Sequence, residues 1–184
     1  MSSDSSRSFS SAGWWSLPES PDPTPYVSDG GVQPVSGEAL SALLTDVLAR
    51  GVPFRFAARG YSMFPFIRDG DTVTISPLGG RRARFGEVVA FTGQTGGPIV
   101  HRVIARRPGS YEIRGDCSGG CVDVVPAAGV LGAVTRVERR GRSVRLGLGP
   151  ERALAGGLSR LGLLQPLAAA LRAARGPFVA QAVL

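Results

Sequence analysis

No lysine occurs anywhere in the 184 residues, so all 21 basic side chains are arginine, and His101 is the single histidine. A guanidinium keeps its proton in proteins and cannot serve as a general base. Proton abstraction by a nitrogen base near neutral pH therefore falls to His101. Cysteine is almost as scarce: Cys117 and Cys121 are too few for the disulfide framework of a small secreted domain. No apolar run is long enough to cross about 30 Å of hydrocarbon, and the N-terminal stretch lacks the basic start and apolar core of a signal peptide. These absences predict a cytoplasmic or peripheral membrane protein. Nucleic-acid motifs are missing too. The net charge of +7 and isoelectric point near 10.9 come from scattered arginines, which predict no nucleic-acid partner and only weak attraction to an anionic membrane surface.

What is present fits one packed core, since 43 % of the residues are hydrophobic. Residues 1–35, rich in Ser, Pro and Asp with Trp14 and Trp15 as their large apolar feature, read as a flexible tail. Leu40, Leu43, Leu44, Val47 and Leu48 recur at helical spacing over 37–50, with Ser36 placed to cap and Gly51 to stop. From 52 to 148 short alternating runs follow, at 52–59, 72–76, 87–92, 99–105, 111–114, 130–138 and 143–146. Gly and Pro punctuate them, and Arg139-Arg140-Gly141 reads as a hairpin turn. Such spacing predicts a mainly β core, a small coiled sheet or open barrel. Residues 149–184 change to Ala, Leu, Gly and Arg. They read as two short amphipathic helices broken at Gln165-Pro166, packed on the core or on a partner subunit or lying in a membrane interface.

The densest chemical signal lies at Arg59-Gly60-Tyr61-Ser62-Met63-Phe64-Pro65, which is followed by Asp69-Gly70-Asp71. A serine hydroxyl is a poor nucleophile unless a base takes its proton and donors face the oxyanion. Downstream come Gly86-Glu87-Val88-Val89-Ala90-Phe91, then His101-Arg102-Val103-Ile104, then Arg114-Gly115-Asp116 with Asp123 beyond it. In strand 99–105, alternation sets Ile99, His101 and Val103 on one face against Val100, Arg102 and Ile104 on the other. Partial burial there keeps an imidazole neutral, while a carboxylate partner raises its pKa. Asp69 and Asp71 read as turn formers, and Gly60 either as a place where the backbone approaches a substrate or as a dihedral that only glycine tolerates.

These four boxes, in this order, resemble the signal peptidase I superfamily, the S24/S26 serine peptidases. Lysine-type members carry Lys-Arg-Val where this chain has His101-Arg102-Val103, so the resemblance is to the Ser-His branch of archaeal and endoplasmic-reticulum enzymes. It implies a β catalytic core of the signal peptidase kind with flanking helices, over 36–148. It also implies serine endopeptidase activity on a peptide or precursor-protein substrate with small side chains at the cut. Ser62 would be the nucleophile, its N–H an oxyanion donor, His101 the base, and either Asp116 or Asp123 the carboxylate that orients the ring. No cofactor is called for. Two other readings use the same residues: a non-catalytic peptide-binding module on the same β core, and a zinc site drawing on His101 with Cys117 and Cys121. A disulfide or a pair of thiols fits the two cysteines better than a metal, because their spacing lacks a second pair.

Overall fold

Ser36 opens the first element as its position predicts. In the computed structural model, which describes residues 36–118 and 121–173, the Ser36 hydroxyl accepts from the Ala39 N–H at 3.2 Å and caps α1 (Gly37–Ala49). Leu44 and Leu48 form the buried ridge of α1, while Leu43 stays about half exposed. The predicted tail of residues 1–35 lies outside the described residues.

The chain then forms β1 (Phe54–Ala57), β2 (Thr72–Ser76), β3 (Val88–Thr92), β4 (Pro98–Arg107), β5 (Ser110–Arg114), β6 (Asp123–Pro126), β7 (Val130–Arg139) and β8 (Arg142–Val144). They make one antiparallel half-barrel sheet in the order β1-β2-β7-β3-β4-β5-β6, with β8 paired to β7. Seven of the eight coincide with the alternating runs. The exception is β6, whose four residues end on Pro126 and leave Val124 exposed, so no alternation long enough to read marks it. The last run is also shifted: β8 begins at Arg142 rather than Ser143 and ends at Val144. Arg140 (φ 50°) and Gly141 (φ 74°) supply the two positive dihedrals that a two-residue hairpin turn matched to strand twist requires.

Period two along β3 divides the core. Val88 and Ala90 join Leu44, Met63, Ile67, Val73 and Val134 on one side, and Val89 and Phe91 join Val103, Tyr111, Ile113 and Val125 on the other. β4 divides the same way, with Val100 on the first side and Ile99 and Val103 on the second. Tyr111 is buried with its polar end satisfied, since its hydroxyl accepts from the Ala83 N–H at 3.1 Å.

Two expectations about the C-terminal segment are corrected. The break falls at residues 161–163, between α2 (Arg152–Arg160) and α3 (Leu164–Ala173), where Gly162 takes φ 74°. Pro166 lies inside the first turn of α3, where its missing N–H costs nothing. The leucine stripe of α2 also does not pack on the sheet. α2 buries Ala155, Gly156 and Ser159 instead, approaching so closely that a Cβ on Gly156 would stand 2.8 Å from Gly86 Cα. Leu154 and Leu161 are left 73 % and 72 % exposed. No helix among the described residues is long and apolar enough to cross a membrane.

Candidate active site

Ser62 leaves β1 on a loop fixed at both ends by the turn that follows it. The Ala58 N–H donates to the Asp71 carbonyl at 2.8 Å, and the Gly70 N–H donates to the Ala58 carbonyl at 2.9 Å. Gly60, at φ 90°, donates its N–H to Asp69 Oδ1 at 2.9 Å. Asp71 accepts from the Arg68 N–H at 2.8 Å and from Arg139 Nε and Nη2 at 2.9 and 2.7 Å. Asp69 and Asp71 are turn formers as read, and they hold the serine loop as well. Met63 and Ile67 anchor it from the other side, each 4 % exposed in the core. Ser62 itself is half-buried, and its N–H has no hydrogen-bond acceptor among the described residues.

His101 reaches the same place from β4. Its ring Nδ1 lies 3.2 Å from Asp123 Oδ2, and Phe91 meets the ring edge-on at 5.9 Å between centroids. Asp123 is the first residue of β6, two strands away. The register explains how it reaches: Arg102 pairs with Arg114, so one step further Gly115 stands opposite His101. A Cβ on Gly115 would lie 3.0 Å from His101 Nε2, 2.9 Å from the Ser62 carbonyl oxygen and 2.1 Å from Ser118 Oγ. The missing side chain is what lets the ring, the serine loop and the aspartate loop converge. A further bond joins the last two, from the Cys117 N–H to the Ser62 carbonyl at 2.7 Å.

With Asp123 accepting at Nδ1, the neutral ring carries its proton there and keeps the Nε2 lone pair. Burial is the largest influence on this histidine and lowers its pKa. The hydrogen bond and charge of Asp123, then the charge of Asp116, oppose it without cancelling it, so the pKa stays below the ordinary value. The ring is thus poised neutral and oriented. Its side chain is only 12 % exposed.

Asp116 does something else. Its carboxylate receives Arg102 Nε at 2.9 and 3.1 Å and Nη2 at 2.7 Å, with both side chains fully buried. Arg102 Nη1 donates to the carbonyls of Gly86 at 2.8 Å and Gly147 at 2.9 Å, and the guanidinium lies over the Phe66 ring at 5.0 Å. Of the two aspartates left open by the sequence, Asp123 meets the histidine and Asp116 meets the arginine beside it. The signal for this pair in the sequence is an arginine between Val100 and Ile104 on an inward face, which calls for a buried carboxylate.

Ser62 and His101 line one cleft of about 230 Å³, together with Phe56, Ala58, Arg59, Gly60, Pro98, Ile99 and Val100. No direct hydrogen bond joins the serine hydroxyl to the ring among the described residues. Cys117 is half-buried and Cys121 exposed, and neither is in a disulfide. Among the described residues no three His, Cys, Asp or Glu side chains are grouped to hold a metal ion, so the ligand set suggested by His101, Cys117 and Cys121 is not assembled. No family model and no curated protein matches the chain.

Proposed function

We propose that the protein is a serine endopeptidase resembling the Ser-His branch of the signal peptidase I superfamily, acting on a peptide or precursor protein. The observation that carries this reading is the His101–Asp123 pair at 3.2 Å, set in the cleft that Ser62 also lines. In the reaction the Ser62 hydroxyl attacks the scissile carbonyl carbon while Nε2 of His101 takes its proton. Asp123 stabilises the imidazolium that results. The Ser62 N–H donates to the oxyanion. Collapse expels the amine, which leaves with the proton from His101, and water then attacks the acyl-enzyme by the same route. The open contact between hydroxyl and ring in the free protein is of the kind that closes when substrate packs into the site. Ala58, Gly60, Pro98 and Val100 give the cleft small and apolar lining that suits small side chains at the cut.

The pH profile tests the base. Protonated His101 cannot accept a proton, so kcat/KM should rise with pH to a plateau, with a midpoint below the ordinary histidine value because burial dominates its environment. Asp123→Asn should move the midpoint lower still, since Asp123 favours the charged ring. A midpoint above that of free histidine would contradict a neutral buried base.

We also propose peripheral contact with an anionic membrane surface through the outward Leu154 and Leu158 of α2 and Leu161 at its C-terminal end, flanked by exposed Arg160. Vesicles containing anionic phospholipid should sediment with the protein at low salt and release it as screening rises. Leu154→Ser with Leu161→Ser should weaken binding about ten-fold or more. Equal sedimentation of both proteins would return this face to another role.

A further inference from the structure

Arg55 in β1 and Arg59 just beyond its end stand four residues apart in sequence yet differ in company. Arg55 forms an ion pair with Glu138, a carboxylate that Arg136 also engages. Arg59 belongs to no ion pair among the described residues. The carboxylates nearest along the loop are engaged elsewhere: Asp69 Oδ1 accepts from the Gly60 N–H, and Asp71 is held by Arg139 and the Arg68 N–H. Arg59 is nevertheless well placed. It lines the cleft with Ser62 and His101, three positions before the serine. Its neighbours Ala58 and Gly60 are both hydrogen-bonded to the 69–71 turn, so the base of its side chain is fixed.

The rest of the lining sharpens the point. Beside Arg59 and His101, the cleft is walled by Phe56, Ala58, Met63, Ile67, Ile99 and Val100 among others, and no carboxylate is among the described residues that line it. With His101 neutral, Arg59 is the one fixed charge among the described lining residues. An exposed guanidinium that lines a largely apolar cleft, with no carboxylate partner among the described residues, offers a counter-charge to an anionic group on whatever enters.

We propose that Arg59 makes the cleft selective for substrates bearing an aspartate or glutamate side chain close to the scissile bond. The placement of the cut rests on the serine peptidase reading, but the charge preference does not. Among the described strands β1 stands at the edge of the sheet, so an extended peptide running past Ser62 along this side brings successive side chains past Arg59. Apolar or small residues fill the cleft, and the carboxylate answers the guanidinium.

The test uses pairs of synthetic peptides from a degenerate library, identical except for Asp against Asn or Glu against Gln near the site of cleavage. Rates are read by mass spectrometry with the full chain, and affinities for the same peptides are read on Ser62→Ala protein, where no turnover is needed. The acidic member of a pair should be preferred about five-fold, as a partly screened ion pair allows, and the preference should shrink as salt is raised. In Arg59→Gln the ratio within each pair should fall to one. In Arg59→Glu it should invert when Lys replaces the acid. Equal handling of the paired peptides by the wild type, or a ratio unchanged in Arg59→Gln, overturns the proposal, as does failure to bind or cut any of them. Acid-selective binding that depends on Arg59, with no cleavage by the wild type, supports it while removing the peptidase reading.

Discussion

Ser62→Ala should reduce cleavage of a natural substrate by about 10⁴- to 10⁶-fold, the loss seen when a serine nucleophile is removed from a unit of this kind. His101→Ala should cost about the same. The double variant should be no worse than either, because residues that act as one unit are not additive. Asp123→Asn should lower kcat by about 10⁴-fold while leaving the fold intact, since an amide at this position favours the wrong ring tautomer and does not stabilise the imidazolium. His101→Lys should not restore activity, because the site would have to hold an ammonium that Asp123 favours in its charged form. Peptides that still bind Ser62→Ala protein but were never cut by the wild type would make the β core a binding module. Cleavage that survives Ser62→Ala and stops on zinc removal would point to the cysteines instead.

The second large effect concerns stability. Arg102 and Asp116 have no solvent exposure, and removing one partner of a buried ion pair strands the other, at about 3–5 kcal/mol. Asp116→Ala should fall in that range. Arg102→Met should fall at its upper end, because the carbonyls of Gly86 and Gly147 lose their donor as well. Combining Arg102→Met with Asp116→Leu relieves the stranded charge but not the two carbonyls, so it should recover only part of the loss. Urea unfolding monitored by circular dichroism gives all three values. A loss below about 1 kcal/mol for Arg102→Met would mean that the pair is not the buried node described.

These two predictions separate two aspartates that the sequence left equivalent, and the reason is physical. Both follow Gly115 within eight residues, Asp116 in the loop and Asp123 at the start of β6, and what divides them is which neighbour of an alternating strand faces which way. Alternation in β4 was legible, so the opposite faces of His101 and Arg102 were too. What was not legible was β6, because a four-residue strand ending in proline has no period to detect, and only β6 carries Asp123 back across the sheet. Seven strands, the cap at Ser36 and the turn at Arg140-Gly141 could be read because each depends on local residues. The outward face of α2 could not. Leu154, Leu158 and Leu161 satisfy the helical period as well as any core stripe, and only the close backbone approach of Gly156 to Gly86 decides that the small residues turn inward.

The strand order has a consequence in time. Ser62 is held by β1 and β2, and His101 by β4 against β3, but β2 and β3 do not pair with each other: β7 stands between them. The two halves of the cleft are joined across the sheet by a strand that is synthesised after both. A nascent chain emerging amino-end first carries its serine and its histidine unconnected through the sheet until Val130–Arg139 has left the ribosome. The sheet that joins the two halves of the cleft is therefore incomplete during most of translation, a delay built into topology.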